Sequence, residues 1–130
     1  MVFQIVLGSS PVGDKEREGD GRTPEGDFYV FTRNPESRYH LSLALSYPNA
    51  AAAARGLASG LISEDEHKSI VEAERTRGRP PQKTRLGGEI YIHGGGISCD
   101  WTDGCIALSD DDMTKLFASV PVGTSVRILK

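Results

Sequence analysis

One histidine and one cysteine stand at the two ends of a Gly-rich segment. His93 closes the apolar run 90–92, and Cys105 precedes a second apolar run at 106–108, with eleven residues between them. A cysteine thiol has an ordinary pKa near ~8.5, so it is mostly protonated at neutral pH and needs a base or a positive field to react. Two strand ends that face each other on one rim of a sheet would bring an imidazole to the sulfur. The pattern predicts a thiol nucleophile, Cys105, with His93 as its base.

Glycines flank both of these residues. Gly94 lets the backbone approach the imidazole, so the Gly94 carbonyl can orient the distal ring nitrogen where other enzymes use a carboxylate. Gly104 leaves the neighbouring backbone N–H groups unobstructed. The amides of Asp103, Gly104 and Cys105 are therefore predicted to form an oxyanion hole for acyl transfer.

Less chemical interpretations of the same residues remain open. Cys105 can be a small buried apolar residue, and a disulfide with Cys99, six positions away, would block it as a nucleophile. A zinc site built from His93, both cysteines and an aspartate lacks the paired cysteine spacing of structural zinc sites. We expect Cys99 to be free and dispensable, and we expect no metal and no cofactor.

Composition limits the possible partners. The chain of 130 residues has 15 Lys and Arg against 18 Asp and Glu, a net charge of −3, which argues against a nucleic-acid or anionic-membrane surface. Its length predicts one domain over 1–130. No apolar run reaches membrane-spanning length, and 1–7 lacks the basic start and cleavage site of a secretory signal.

Periodicity and turn residues predict a mainly β fold of short strands. The predicted strands cover 2–7, 28–31, 39–46, 89–93, 106–108 and 125–129. A long polar loop over 8–25 is expected to be functional or mobile.

Helices are predicted at three places. Asn49 caps the alanine-rich run 49–57, and Ser63 with Glu66 has the spacing of a capping box for a second helix to about 77, so that a helical hairpin occupies about 49–79. The second helix is interpreted either as a solvent-exposed helix that packs through a short apolar stripe or as a lid over the motif.

The last predicted helix spans about 109–119. Ser109 caps it, and Asp110, Asp111 and Asp112 complement its positive end, which explains these carboxylates more simply than a metal site does. An apolar stripe on this helix faces the core and consists of Met113, Leu116 and Phe117. His40 and His67 are interpreted as ordinary polar positions.

The motif as a whole resembles a known family. His93-Gly94, followed by Asp100-Trp101-Thr102-Asp103-Gly104-Cys105-Ile106-Ala107-Leu108, is similar to the signature of the L,D-transpeptidase catalytic (YkuD-type) domain: His-Gly, a spacer, then Ser/Thr-x-Gly-Cys. The subgroup resembled has Asp-Trp-Thr-x-Gly-Cys-Ile-Ala-Leu. Similarity extends to the loop 11–26 and to the segments 43–49 and 122–126, so it covers nearly the whole chain.

The resemblance implies a β sandwich or barrel that carries a cysteine acyltransferase of peptidoglycan. Cys105 would attack the carbonyl of the L-centre of meso-diaminopimelate in a tetrapeptide stem, expel D-Ala and pass the acyl group to an amine. In these roles Cys105 is the nucleophile, His93 the base, the Gly94 carbonyl its orienter, and Thr102 the Ser/Thr of the signature. Stem peptides are the implied partners, carbapenems the implied covalent inhibitors, the periplasm or cell envelope the implied location, and a monomer the expected state.

Two positions depart from the family pattern. Asp103 stands where many members have His, and Ala107 where many have Arg. A clamp for a substrate carboxylate must then come from elsewhere, and the candidates in the long loop are Lys15, Arg17 and Arg22. The residues predicted to bind substrate are Thr102, Trp101, Arg22 and Tyr91.

Other functions share this scaffold. The same acyl-enzyme can be hydrolysed, which would make the protein an L,D-carboxypeptidase or a peptidoglycan hydrolase, because only the acceptor differs. A non-catalytic wall-binding module is a second class, although such a module has no need of His93 and Cys105. A toxin-type effector built on the same domain is a third.

Overall fold

A computed structural model describes residues 1–130 and has a single five-stranded sheet. In chain order the strands are β1 (Gly26–Ser37), β2 (His40–Leu45), β3 (Tyr91–His93), β4 (Ile106–Ala107) and β5 (Ser125–Ile128). Their order across the sheet is β4-β3-β2-β1-β5. Three of the strand pairs are antiparallel, and β3 with β4 is the parallel one.

The two faces of this sheet have different roles. Leu43, Ile92 and Ile106 belong to a core cluster of 11 buried residues, onto which the last helix packs through Met113. Successive side chains of a strand point to opposite faces, so the intervening residues of the same strands turn away from this core. That second face forms the site described below.

Three helices accompany the sheet, at the positions that the capping signals predicted. They are α1 (Ala50–Ala58), α2 (Glu64–Thr76) and α3 (Asp110–Ser119). Asn49 Oδ1 accepts from the Ala52 amide at 2.9 Å, and both hydrogen bonds of the capping box at Ser63 and Glu66 are formed. The helical hairpin of α1 and α2 lies between β2 and β3, and the mainly β fold with this insertion is confirmed.

The helical hairpin has its own small apolar cluster. Ala53, Ile62 and Ile70 pack with Leu86, which belongs to the segment leading into β3. The Tyr47 hydroxyl donates to the Leu86 carbonyl at 2.7 Å in the buried interior. These contacts fix the segment before β3 against the hairpin.

The predicted strand at 2–7 is wrong. Val6 alone forms a bridge, exchanging two backbone hydrogen bonds with Ala107, and Val2 is 98% exposed. The partner strand β4 has two residues, so it offers too short a ladder for a full strand. The second predicted strand, 28–31, is longer than expected, because β1 continues through irregular pairing with β2 to Ser37.

None of the three helices is long and apolar enough to cross a lipid bilayer.

Removing the cap of α2 tests the energetic role of its first turn. Ser63→Ala is expected to lower the free energy of unfolding by about 1 kcal/mol, because the Glu66 amide loses its acceptor. Ser69→Ala, at an exposed position inside the same helix, is the matched control and should leave stability unchanged or slightly raised. Urea unfolding followed by circular dichroism measures both variants, and equal losses would contradict the assignment.

Candidate active site

The outward face of the sheet is the floor of a cleft of about 670 Å³. Its floor residues alternate along β1, β2 and β3 and are Thr32, Asn34, Ser42, Ala44, Tyr91 and His93. The walls come from the segment after Gly13, the tip of the β1–β2 hairpin, the segment that leads into β3, and the loop between β3 and β4. Residues of those walls include Lys15, Glu18, Arg38, Tyr39, Glu89, Trp101, Thr102 and Asp103.

His93 and Cys105 both line this cleft. In the parallel pair, Ile92 lies opposite Ile106 and His93 opposite Ala107. Cys105 therefore continues the register opposite Tyr91, two positions before His93, and shares its face. The sequence predicted that they would meet on one rim of the sheet; parallel pairing instead places them at opposite ends of a short ladder, on one face.

The His93 imidazole is buried and held in one orientation. Its Nδ1 donates to the Gly94 carbonyl at 2.5 Å, and since a carbonyl only accepts, the proton of the neutral ring lies on Nδ1. Tyr39 stacks on the ring at 4.7 Å between centroids, and Trp101 meets it edge-on at 5.6 Å. Nε2 is thereby the nitrogen available to take a proton, as the sequence predicted from Gly94.

Burial lowers the pKa of His93 below its ordinary value, although the hydrogen bond to Gly94 acts in the opposite direction. The imidazole is therefore neutral at pH 7, which is the form that a general base requires.

The start of the loop after His93 is fixed by two other elements. The Gly94 amide donates to the Tyr39 carbonyl at 2.9 Å, and the Gly95 amide donates to Asp110 Oδ1 at 2.9 Å. A Cβ on Gly94 would lie 2.5 Å from that same carboxylate oxygen and 2.9 Å from the Tyr39 carbonyl oxygen. This close approach explains the glycine, and it gives Asp110 a role in the loop besides its place at the start of α3.

The Cys105 thiol is held in its protonated form. Sγ donates to the Glu89 carbonyl at 3.3 Å and accepts from the Tyr91 amide at 3.4 Å. Burial raises the pKa of Cys105 to about 11; the Tyr91 amide and the charge of Lys15 act to lower it, and the carboxylates of Asp103 and Glu89 to raise it. The predicted nucleophile and the predicted base are thus both uncharged at neutral pH.

Thr102 shapes the turn that delivers Cys105. Its buried hydroxyl donates to the Cys105 carbonyl at 2.6 Å and accepts from the Gly104 amide at 3.2 Å. Gly104 has φ +132°, and a Cβ there would lie 2.8 Å from the Arg22 carbonyl oxygen. Of the three amides predicted to hold an oxyanion, that of Gly104 is engaged with Thr102, which leaves those of Asp103 and Cys105.

The residues predicted to bind substrate have different positions. Tyr91, Trp101 and Thr102 line the cleft, whereas Arg22 does not. The Trp101 indole donates to the Gly96 carbonyl at 3.1 Å, so it both lines the cleft and anchors the loop. Burial raises the pKa of the Tyr91 phenol, which stays neutral.

Among the loop cations, Lys15 alone lines the cleft, and Arg17 borders a separate depression beside α1. Sequence reasoning missed Tyr39, Arg38 and Glu89. Arg38 and Tyr39 form the turn between β1 and β2, which the separate strands predicted at 28–31 and 39–46 did not indicate. No sequence signal marked the Glu89 carbonyl.

The other thiol lies apart from this chemistry. Cys99 is exposed, and both cysteines are free. No group of three or more His, Cys, Asp and Glu side chains is arranged to hold a metal ion.

Comparison with known proteins agrees with the geometry of the cleft. The sequence model of the L,D-transpeptidase catalytic domain (YkuD) matches residues 1–128. The chain belongs to this family. The resemblance seen in the motif is thereby confirmed for the family, and the particular motif subgroup stays a prediction.

A curated relative is the putative L,D-transpeptidase YafK of Escherichia coli K12, 40% identical over 57 residues, which is 42% of this chain and 23% of the relative. The crystal structure of the helical cell shape determining protein Pgp2 from Campylobacter jejuni superposes with a TM-score of 0.60 at 26% identity, over 95% of this chain and 36% of that one. An L,D-transpeptidase from Xylanimonas cellulosilytica has the same fold, with a TM-score of 0.52 at 17% identity over 98% of this chain and 48% of its own. The chain thus spans less than half the length of these relatives.

The double role of the Thr102 hydroxyl leads to a prediction about the turn. Thr102→Val is expected to cost about 1–3 kcal/mol of unfolding free energy, because a buried amide and a carbonyl lose their partner. Labelling of Cys105 should become faster, because the turn that helps to bury the thiol is loosened. Thr102→Ser keeps the hydroxyl and is the matched control. Thermal unfolding and iodoacetamide labelling measure the effects; equal behaviour of the two variants would show that the hydroxyl does not hold the turn.

The raised pKa of Cys105 predicts a steep pH dependence. Below a pKa of about 11 each unit of pH raises the thiolate fraction tenfold, so alkylation of Cys105 by iodoacetamide should accelerate about tenfold per unit from pH 7 to 10. The Cys99→Ser protein isolates the signal, and mass spectrometry follows it. A rate that levels off below pH 9 would contradict the neutral resting thiol.

Proposed function

We propose that the protein is a peptidoglycan L,D-transpeptidase that works through a Cys105 thioester. The observation that carries the proposal is the placement of His93 and Cys105 on one face of one cleft, with the imidazole fixed by the Gly94 carbonyl. Membership of the L,D-transpeptidase family supports the same chemistry. No cofactor is required by any step.

Acylation follows from the protonation states of the two residues. The proton of Cys105 Sγ passes to His93 Nε2 as the sulfur attacks the stem-peptide carbonyl at the L-centre of diaminopimelate. Negative charge develops on the carbonyl oxygen, and the amides of Asp103 and Cys105 are the donors we assign to it. The tetrahedral intermediate then collapses, His93 returns the proton to the leaving amine, and D-Ala departs, leaving the thioester.

Deacylation uses the same base a second time. An acceptor amine attacks the thioester carbonyl, His93 takes its proton, and Sγ leaves and is reprotonated. If water replaces the amine, the result is L,D-carboxypeptidase activity from the same intermediate. The product therefore distinguishes transfer from hydrolysis.

The neutral pair has a consequence for when the enzyme reacts. Because burial holds Cys105 and His93 uncharged, formation of a thiolate and an imidazolium is unfavourable in the free protein. We infer that proton transfer accompanies attack on a bound substrate. The free thiol would then be protected from indiscriminate electrophiles. Peptidoglycan as substrate places this work at the cell envelope.

Incubation with tetrapeptide muropeptides tests the proposal. Transfer predicts a 3→3 cross-linked dimer and released D-Ala; tripeptide without dimer would instead indicate the hydrolase. Cys105→Ser and His93→Ala should each abolish the product, or reduce it at least about a hundredfold. Cys99→Ser should retain it, because that thiol is exposed and outside the cleft.

A carbapenem is a second probe of the same thiol. Mass spectrometry should show an adduct on Cys105 that forms in Cys99→Ser and fails to form in His93→Ala. Folded, reduced protein that acquires neither an adduct nor an acyl group from any donor would overturn the proposal and favour a wall-binding module.

A further inference from the structure

Lys15 is a buried cation in the wall of the cleft. Its side chain is 3% exposed, and Nζ lies 2.9 Å from Asp20 Oδ1. Asp20 also accepts from the backbone amides of Glu16, Arg17 and Arg22, at 2.8, 3.2 and 3.1 Å. Although partial burial acts to raise it, these bonds hold the pKa of Asp20 below its ordinary value. The carboxylate is a fixed anchor that sets where the ammonium lies.

One acceptor does not satisfy this ammonium. A lysine side chain has three N–H donors, and Asp20 is the one protein acceptor that Nζ reaches. Taking such a charge out of water is costly unless its donors are paired. Because Lys15 lines the cleft, a group bound there can supply a further acceptor.

The surroundings of Lys15 relate it to the nucleophile. A Cβ on Gly87 would lie 3.0 Å from Lys15 Cε, so the backbone at Gly87 packs directly on the lysine stem. Two residues later, the Glu89 carbonyl accepts the Cys105 thiol. Lys15 and the sulfur therefore flank the same short loop, 87–89.

Charge in the cleft makes Lys15 distinctive. The carboxylates that line it belong to Glu18, Glu36, Glu89 and Asp103. The other lining cation, Arg38, is exposed at the hairpin tip on the opposite wall. Four of the six charged residues that line the cleft therefore repel an anionic group of the substrate, and Lys15 is the cation that is both buried and held in place.

We propose that Lys15 binds a carboxylate of the donor stem next to the scissile bond, which takes over the work of the arginine that Ala107 replaces. This rests on the proposed function and adds the residue that selects an anionic donor. Two carboxylates have the right chemistry: that of the departing terminal D-residue and that of the diaminopimelate side chain. Asp20 orients the ammonium and does not touch the substrate.

Binding to a protein that cannot turn over gives the first test. In a Cys105→Ala background, calorimetry with a tetrapeptide stem should show that Lys15→Met weakens binding about ten- to hundredfold, the range for a charge-assisted hydrogen bond. Arg17→Met removes a positive charge from the same loop outside the cleft and is the matched control, expected to change the Kd less than twofold. Lys15→Arg should retain part of the affinity.

Amidated donors identify the carboxylate. Two synthetic stems, one with a terminal D-Ala amide and one with the diaminopimelate side-chain carboxyl amidated, are titrated into the same proteins. The stem that lacks the bound carboxylate should bind the protein that retains Lys15 as weakly as the intact stem binds Lys15→Met. Its affinity should not fall further when Lys15 is replaced by Met. If Lys15→Met weakens the binding of the intact stem and of both amidated stems equally, the proposal is overturned and Lys15 is a structural partner of Asp20.

Two safeguards keep the outcomes apart. If Lys15→Met unfolds, the protein that retains Lys15 still shows whether a carboxylate is bound, through its affinities for the intact and the amidated stems. The double variant Lys15→Met/Asp20→Asn also removes the Asp20 charge that Lys15→Met leaves unpaired. If Cys105 is acylated at the same rate by the intact stem and by both amidated stems, the role of Lys15 is contradicted and the proposed function is not. If the stem peptide neither binds the protein nor acylates Cys105, the proposed function is contradicted as well.

Discussion

The parallel pairing of β3 with β4 is the constraint on which the cleft depends. It consists of two residue pairs, Ile92 with Ile106 and His93 with Ala107, and the twelve residues that connect the two strands contain no helix. Parallel strands are usually connected by a crossover that contains an α-helix. Here the connection is held by two hydrogen bonds to other elements. The Tyr39 carbonyl accepts from the Gly94 amide, and the Asp110 carboxylate accepts from the Gly95 amide.

Because of these two hydrogen bonds, the tip of the β1–β2 hairpin and the start of α3 meet next to His93. Tyr39 contributes twice, by its carbonyl to Gly94 and by its ring to His93. An imidazole fixed by packing and by one backbone carbonyl needs no third acidic residue. The cost of this arrangement is burial, which favours the uncharged forms of both His93 and Cys105.

Sequence reasoning identified the histidine and the cysteine that line the cleft because the patterns around them are local. A strand that ends in His-Gly and a Thr-x-Gly-Cys turn are short patterns, and the capping signals at Asn49, Ser63 and Ser109 likewise involve residues three apart. The strand at 2–7 failed for the opposite reason. Its apolar residues carry a β pattern, but a strand exists only where a partner offers a ladder, and Ala107 offers Val6 a single bridge.

The sequence by itself determined which chemical groups are present for the proposed reaction, because a thiol, an imidazole and the glycines beside them are fixed by residue type and short spacing. Tertiary structure decided how they act. It placed His93 and Cys105 on one face rather than one rim, assigned the Gly104 amide to Thr102, and brought Lys15 rather than Arg17 or Arg22 into the cleft wall. Those outcomes depend on strand register, loop path and burial, which arise from contacts between residues far apart in the chain.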